Sequence, residues 1–207
     1  MTLEHWLIYL IAAIGLSLAP GPNGLLSITH GACFGFRPTL YTILGGAVGF
    51  LLLITISLAG FGTLMATSEQ VFTLVKWIGA GYLIYLGFRV WQSPPPNFRG
   101  ASLALGNAQA IPSRMFQQGF LVAVSNPKGI LFFAAFLPQF MVADASFLMQ
   151  LFVLGGTFIL VETIYELLLA SFAQRISPWL SRYGRLFNRT TGGIFVAMGT
   201  VLATASR

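Results

Sequence analysis

The chain has 207 residues, of which 56% are hydrophobic and only 8% are charged. Soluble domains carry about 25% charged residues, so this composition cannot supply a water-exposed surface. The formal net charge is +6. The basic residues stand in short gaps between apolar segments and form no stripe with stacking aromatics, which argues against a nucleic-acid partner. The composition predicts an integral membrane protein whose surroundings are the lipid bilayer.

Six apolar segments approach or exceed the roughly 20 residues that a transmembrane helix needs. They are residues 6–28, 39–64, 71–91, 116–138, 147–172 and 187–205. The amino terminus holds Glu4 and lacks Lys and Arg before Trp6, which is unlike a signal peptide, so the first segment is expected to remain in the protein. The expected fold is all-α with six transmembrane helices.

The longest gap divides the chain into two halves of three helices. Residues 92–115 begin with a proline-rich stretch, which is typical of a stiff, extended linker. We therefore expect a single transporter domain over 1–207, with a first repeat at 1–91, a linker at 92–115 and a second repeat at 116–207.

The charged residues predict the orientation of the helices. Eight arginines lie in the gaps after the first, third and fifth segments: Arg37, Arg89, Arg99, Arg114, Arg175, Arg182, Arg185 and Arg189. On the opposite side stand Glu4, Glu69, Asp144 and a single basic residue, Arg207. Because positive charge is retained in the cytoplasm, both termini are expected outside and the linker inside.

The two halves repeat short patterns in the same order, one in each helix. The matched positions are 22–26 with 127–131, 44–46 with 154–156, and Gly81 and Gly87 with Gly193 and Gly199. Each half has an odd number of spans, so the second half must have the opposite orientation in the membrane. Inverted repeats are typical of secondary transporters.

The first segment is interrupted by the sequence Pro20-Gly21-Pro22-Asn23. Each proline lacks an amide hydrogen, so the carbonyl four residues earlier loses its helical partner. Such a break survives in a membrane only against protein or a watery cavity. The amides that follow form a half-helix amino terminus, which attracts a carboxylate. The Asn23 side chain adds a donor and an acceptor, so these four residues are predicted to bind substrate.

The fourth segment repeats the interruption with Asn126-Pro127-Lys128. A lysine at mid-membrane costs about 2.5–3.5 kcal/mol on insertion scales, so it should bind an anionic ligand or pair with an acid. We predict that these three residues belong to the same substrate site. The alternatives are that the prolines only kink their helices and that Lys128 is a structural partner of an internal acid.

The fifth segment carries Glu162 and Glu166, four residues apart and therefore on one helical face, with Tyr165 beside them. Two acids on one stripe should face protein rather than lipid. Burial and the proximity of a second acid favour the neutral form of a carboxyl, which suits a proton carrier. The glutamates are the predicted proton-coupling residues, with a structural ion pair as the alternative.

Other motifs indicate packing rather than chemistry. The glycines at 45, 46 and 49, at 79 and 81, and at 192 and 193 are interpreted as helix-packing faces. The chain has no GxSxG, HExxH or Walker motif, so it is not expected to be an enzyme or to have catalytic residues. Cys33, His5 and His30 form no cluster at ligand spacing, so neither a metal nor another cofactor is expected.

Three stretches, PGPNGLLSITHGACFGFRPTL, KWIGAGYLIYLGF and GFLVAVSNPKGILFFAAFLPQF, resemble the LysE/RhtB family of bacterial amino-acid exporters. The resemblance covers nearly the whole chain. It implies six helices in the inner membrane and export of amino acids or close derivatives, driven by proton antiport. A homo-oligomer is compatible with it. The open alternatives are a passive channel and an exporter of a non-amino-acid metabolite.

One position departs from the family pattern. Members often carry an aspartate just after the glycine that matches Gly49, whereas this chain has Phe50. If that acid carries protons or binds substrate, its role is vacant here. Our hypothesis is that Glu162 or Glu166 takes it over, because the fifth helix is the repeat partner of the second.

Overall fold

The computed structural model describes residues 1–19, 21–65, 69–94, 109–142 and 145–204. Every regular element in these ranges is helical. In chain order the helices are α1 (Leu3–Leu18), α2 (Pro22–Phe34), α3 (Phe36–Met65), α4 (Glu69–Gln92), α5 (Pro112–Val124), α6 (Pro127–Phe140), α7 (Phe147–Ser171) and α8 (Ala173–Thr204).

The first and fourth predicted helices are each divided into two. The axes of α1 and α2 differ by 54°, and those of α5 and α6 differ by 44°. Pro22 and Pro127 begin the second helix of each pair, where a missing amide hydrogen costs no bond. Pro20 lies outside the described residues. Both breaks occur where the sequence places them.

The length and hydropathy of the helices suit a membrane protein. Within the described residues, 36–60 in α3 and the whole of α7 are long and apolar enough to span a bilayer, and each bent pair also qualifies as one span. The third and sixth predicted spans correspond to α4 and α8. The number of six spans, the inverted orientation and the location of both termini stay predictions.

The basic segment after the fifth span is helical, which corrects the interpretation of residues 173–186 as an open gap. Helix α8 begins at Ala173, directly after a one-residue turn at Phe172. Aromatic side chains four residues apart stabilise this stretch. The Trp179 ring contacts those of Tyr183 and Phe187 at centroid distances of 5.7 and 6.3 Å.

The predicted linker at 92–115 is described only at its two ends. Helix α5 starts at Pro112, four residues before the predicted start of the fourth span. The Ser93 and Pro94 carbonyls accept hydrogen bonds from the Asn188 side-chain amide of α8, so the first linker residues are held against the second half. Residues 95–108, and with them Arg99, lie outside the described part, as do Asp144 and Arg207.

Glycines bring neighbouring helices into backbone contact. A Cβ at Gly45 of α3 would clash with the Phe116 carbonyl oxygen of α5, and one at Gly119 would clash with the Thr42 oxygen. Gly87 of α4 and Gly192 of α8 approach each other in the same way. The packing interpretation therefore holds for Gly45 and Gly192, and Gly49 joins them, its Cβ position lying 2.7 Å from Ala123.

Gly81 does not pack against a neighbouring helix in this way. Among the described residues, a Cβ at Gly81 would meet nothing within 4 Å, and one at Gly193 would make only ordinary contact with Trp91. Gly46 has both environments, because its Cβ position faces polar side chains while its backbone nitrogen lies 3.0 Å from the Cβ position of Gly119 in α5. The packing prediction is wrong for Gly81, because glycine spacing does not show which face of a helix a residue occupies. Gly79 is not among the side-chain positions that the structure describes.

Helices of the first half of the chain pack mainly against helices of the second half. Helix α3 packs along α5, α7 packs against α1 and α2, and α4 packs along α8. These are the pairings that a twofold relation between the halves would produce. At one end of the molecule Trp6 donates to the Thr157 hydroxyl and Tyr9 donates to the Leu154 carbonyl, both at 3.0 Å. These bonds fix α1 on α7.

Candidate substrate and proton site

The break between α1 and α2 leaves two kinds of backbone group short of helical partners. Gly21 is the residue before α2 and has an extended conformation, and the first α2 hydrogen bond runs from the Leu25 amide to the Gly21 carbonyl. The first amides of α2 therefore lack intrahelical acceptors. At the other side of the break, the Ala19 amide is shared between the Gly15 and Leu16 carbonyls, each at 3.2 Å, so the carbonyl end of α1 is short of backbone donors.

Lys128 donates hydrogen bonds to backbone carbonyls on the α1 side of this break. Its ammonium group donates to the Leu16 oxygen at 2.8 Å and to the Ala19 oxygen at 3.1 Å. The side chain is 7% exposed. A cation at a helix carboxyl terminus is stabilised by the helix dipole. Gly21 makes room for it, since a Cβ there would lie 3.0 Å from the lysine nitrogen.

Two asparagines join the break in α1–α2 to the break in α5–α6. The Asn126 side-chain oxygen accepts from the Lys128 amide at 3.0 Å, which caps α6. Its amide nitrogen donates to the Asn23 side-chain oxygen at 3.1 Å. The structure thus brings together Gly21, Asn23, Asn126 and Lys128, which are far apart in the chain.

Both glutamates of α7 are buried beside this junction. Glu162 is 4% exposed and Glu166 is 3% exposed. Lys128 interacts electrostatically with both carboxylates. Its hydrogen-bonded partners, however, are backbone carbonyls. A structural role for Lys128 stays an alternative to substrate binding.

The glutamates face hydroxyl groups on both sides of the first break. Ser17 lies next to Glu162, and Ser27 lies next to Glu166. Neither contact has the geometry of a completed hydrogen bond. Within the described residues, four buried side-chain oxygens have no hydrogen-bond partner, and all belong to this cluster: Ser17 Oγ, Ser27 Oγ, Glu162 Oε2 and Glu166 Oε1. Unsatisfied buried oxygens are costly, so this cluster is suited to hold a proton or a cationic group.

Three members of the cluster are missed by the sequence reasoning. A Cβ at Gly46 would lie 3.1 Å from the Asn23 amide nitrogen and 3.7 Å from a Glu166 oxygen, so this glycine admits both polar groups. Ser17 and Ser27 flank the first break in an otherwise apolar segment. Their position on either side of the break is the signal that points to them.

Phe50 occupies an apolar wall next to the site. Its ring is 2% exposed and lies 5.4 Å from the Phe158 ring and 6.1 Å from the Phe133 ring, between centroids. A Cβ at Gly129, the residue after Lys128, would lie 3.1 Å from the Phe50 ring. The position where the family resemblance implies an acid is therefore filled by an apolar ring that packs against the residue after Lys128.

Buried charges at the meeting point of two broken helices define the class of helical membrane transporters. Within the described residues, no group of three or more His, Cys, Asp or Glu side chains is placed to hold a metal ion. Residues 14–206 match the family model described as "LysE type translocator". The chain belongs to this family and is a transporter rather than an enzyme.

Relatives match along nearly their whole length. A homoserine/homoserine lactone efflux protein of Salmonella typhimurium is 33% identical over 209 residues, which cover 99% of this chain and 98% of that protein. A Vibrio cholerae protein named only as a membrane protein is 34% identical and covers 99% of each chain. A Bacillus subtilis membrane protein is 28% identical over 93% of this chain and 95% of its own. No solved structure matches.

Proposed function

We propose that this protein exports amino acids or close derivatives from the cytoplasm across the bacterial inner membrane in exchange for protons. The observation that carries the proposal is the buried cluster of one lysine and two glutamates where the two helix breaks meet. Secondary transporters bind substrate at broken helices of this kind. The names of the Salmonella relatives support an amino-acid-derived substrate.

The substrate carboxylate is assigned to the first break. The α2 amino terminus presents amides without intrahelical acceptors, and the Lys128 ammonium lies beside Gly21. An ammonium has three donors, of which α1 carbonyls use two. A carboxylate can take the third donor together with the α2 amides.

The glutamates are assigned to the proton and the substrate amino group. One lysine and two ionised glutamates would leave a net negative charge inside the membrane, which is unfavourable. Binding a proton balances the cluster. A bound zwitterion adds no net charge, but its ammonium needs an ionised carboxylate. The ammonium and the proton therefore compete for the same pair of glutamates, and occupancy by one disfavours the other. Such competition couples the export of substrate to the entry of a proton.

The proton gradient is sufficient for export. One elementary charge moving across about 100 mV gains about 2.3 kcal/mol. For a zwitterion exchanged one-to-one with a proton, that free energy supports an outward gradient of roughly 50-fold.

Purified protein in proteoliposomes that contain a pH-sensitive dye tests the proposal. External leucine or homoserine should enter while protons leave, so the interior pH should rise. The double variant Glu162→Gln/Glu166→Gln should abolish that rise. Entry of amino acid with no pH change would show a passive channel, and no entry of either amino acid would contradict the proposed substrates.

A further inference from the structure

A second feature adjoins the charged cluster: an apolar cavity of about 180 Å³ between α2, α7 and α8. Its lining is almost entirely hydrocarbon and includes Gly21, Gly24, Tyr165, Leu169, Trp179 and Phe187. The proposed function does not use this cavity.

The cavity begins where the charged cluster ends. Gly21 lines it and also faces the Lys128 nitrogen, 3.0 Å from the position of a Cβ. Tyr165 lines it from α7, directly before Glu166 and within one turn of Glu162. A molecule whose charged groups lie on Lys128 and the glutamates can therefore extend an uncharged group into the cavity.

We propose that this cavity is the side-chain subsite, and that the protein prefers amino acids with apolar side chains of leucine to phenylalanine size. The inference rests on the proposed function, because it needs the charged groups of the substrate to occupy the cluster. An apolar cavity of about 150 Å³ holds benzene, so about 180 Å³ holds an isobutyl or benzyl group.

The lining favours apolar over hydroxylated side chains. Each buried methylene strengthens binding by about fourfold. A hydroxyl moved into hydrocarbon without a partner weakens binding instead. Leucine and phenylalanine should therefore bind better than alanine, which leaves the cavity empty, and better than homoserine, whose hydroxyl enters it.

Gly24 and Leu169 set the width of the cavity. A Cβ at Gly24 would lie 3.1 Å from Leu169 Cδ1 and 3.4 Å from Tyr165 Cε1. Because the closest atom is the tip of a flexible side chain, Gly24→Ala should narrow the cavity without disrupting the contact between α2 and α7. Leu169→Ala should widen the same place.

The experiment is counterflow of radiolabelled leucine, phenylalanine, alanine and homoserine in proteoliposomes containing the full-length protein. Counterflow requires binding and exchange but no proton gradient. The wild type should favour leucine over homoserine by at least tenfold. Gly24→Ala should lower the phenylalanine-to-alanine ratio about tenfold, and Leu169→Ala should raise it. Leu169→Val provides a milder change if the alanine variant unfolds on heating earlier than the wild type.

Met149→Ala is the matched control. Met149 is also an apolar lining residue, but of a different cavity near the start of α7 and the amino terminus. It should leave all ratios unchanged. Equal counterflow of leucine and homoserine, unaffected by Gly24→Ala or Leu169→Ala, would overturn the subsite and leave the proposed export intact. Absence of counterflow for all four amino acids in folded protein would overturn the proposed function itself.

Discussion

Lys128 is the residue on which both the fold and the site depend. Its ammonium holds the last carbonyls of α1 and interacts with both glutamates. Hydrogen bonds from charged groups contribute about 1.5–3 kcal/mol each. A substitution here removes a stabilising contact as well as a positive charge.

We expect Lys128→Met to reduce export at least tenfold and to lower the melting temperature, because the Leu16 and Ala19 carbonyls lose the ammonium donor. Transport by purified protein and thermal unfolding in detergent measure the two effects. Arginine keeps the charge, so Lys128→Arg should recover part of the stability. Unchanged export in Lys128→Met would remove Lys128 from the site.

The two glutamates should differ in role. Lys128 interacts with both carboxylates. Glu166 lies in addition beside Gly46 and Asn23, since a Cβ at Gly46 would be 3.7 Å from a Glu166 oxygen and 3.1 Å from the Asn23 amide nitrogen. We propose that Glu166 carries the proton and that Glu162 holds the substrate ammonium.

Glu166→Gln should make the export rate independent of pH, because the side chain then stays neutral at every pH. Glu162→Gln should instead weaken substrate binding while the pH dependence remains. Initial export rates measured between about pH 5.5 and 8 distinguish the two variants, because a proton carrier that works near neutral pH changes its protonation in this range. A Glu166→Gln protein with the wild-type pH profile would show the assignment to be wrong.

Phe50 gives a test of the apolar wall. Phe50→Asp would place a carboxylate among the Phe133 and Phe158 rings, with Lys128 one residue beyond the Gly129 contact. We expect a lower melting temperature than for Phe50→Leu, because burial of an uncompensated charge costs more than a small cavity. Equal melting temperatures would show that Lys128 reaches this position.

Charged and proline-containing positions of the site could be predicted from the sequence, whereas small residues could not. Lysine, glutamate and asparagine stand out in an apolar chain because burial is costly for them. Ser17 and Ser27 flank the break in the sequence, but serine and glycine occur as readily in ordinary helix contacts, so their contacts with the glutamates and Asn23 needed coordinates. The apolar wall around Phe50 likewise depends on rings from three helices.

At the scale of the elements, the α3–α5 contact depends on three glycines that face the opposite backbone, Gly45, Gly49 and Gly119. A side chain at Gly119 would clash with the Thr42 carbonyl, a rigid neighbour. A clash with backbone cannot be relieved by a rotamer change.

Gly119→Ala should therefore reduce the amount of folded protein in the membrane and lower its melting temperature by several degrees. Gly81→Ala is the matched control, since a Cβ there meets nothing within 4 Å. Alanine has the better helix propensity, by up to about 1 kcal/mol, so the control should be neutral or slightly stabilising. Similar melting temperatures for the two variants would contradict the close contact.

The helix breaks follow from proline chemistry and were predictable. The helical structure of residues 173–186 was not predicted, because the basic residues of that stretch were interpreted as a gap between two spans. Two π-helical turns, Phe132–Phe136 and Leu151–Gly155, were also missed. Such turns arise where tertiary contacts displace a helical register, and a propensity argument has no access to them.

At the scale of the whole molecule, the orientation predicted from the arginines can be tested directly. In a Cys33→Ala background, a single cysteine at Thr2 should react with a membrane-impermeant maleimide applied to intact cells. A cysteine at Asn97 should react only after the cells are permeabilised. The reverse pattern would place the linker outside and contradict the charge argument.

The bond between Asn23 and Asn126 has a consequence for leakage. It joins the amino-terminal half to the carboxyl-terminal half at the place where cargo is proposed to bind, as does the Lys128 contact with α1. A carrier that holds neither cargo nor proton keeps both contacts, so we expect it to stay closed. Idle cycling, which would dissipate the membrane's stored energy, would then be suppressed without a separate gate.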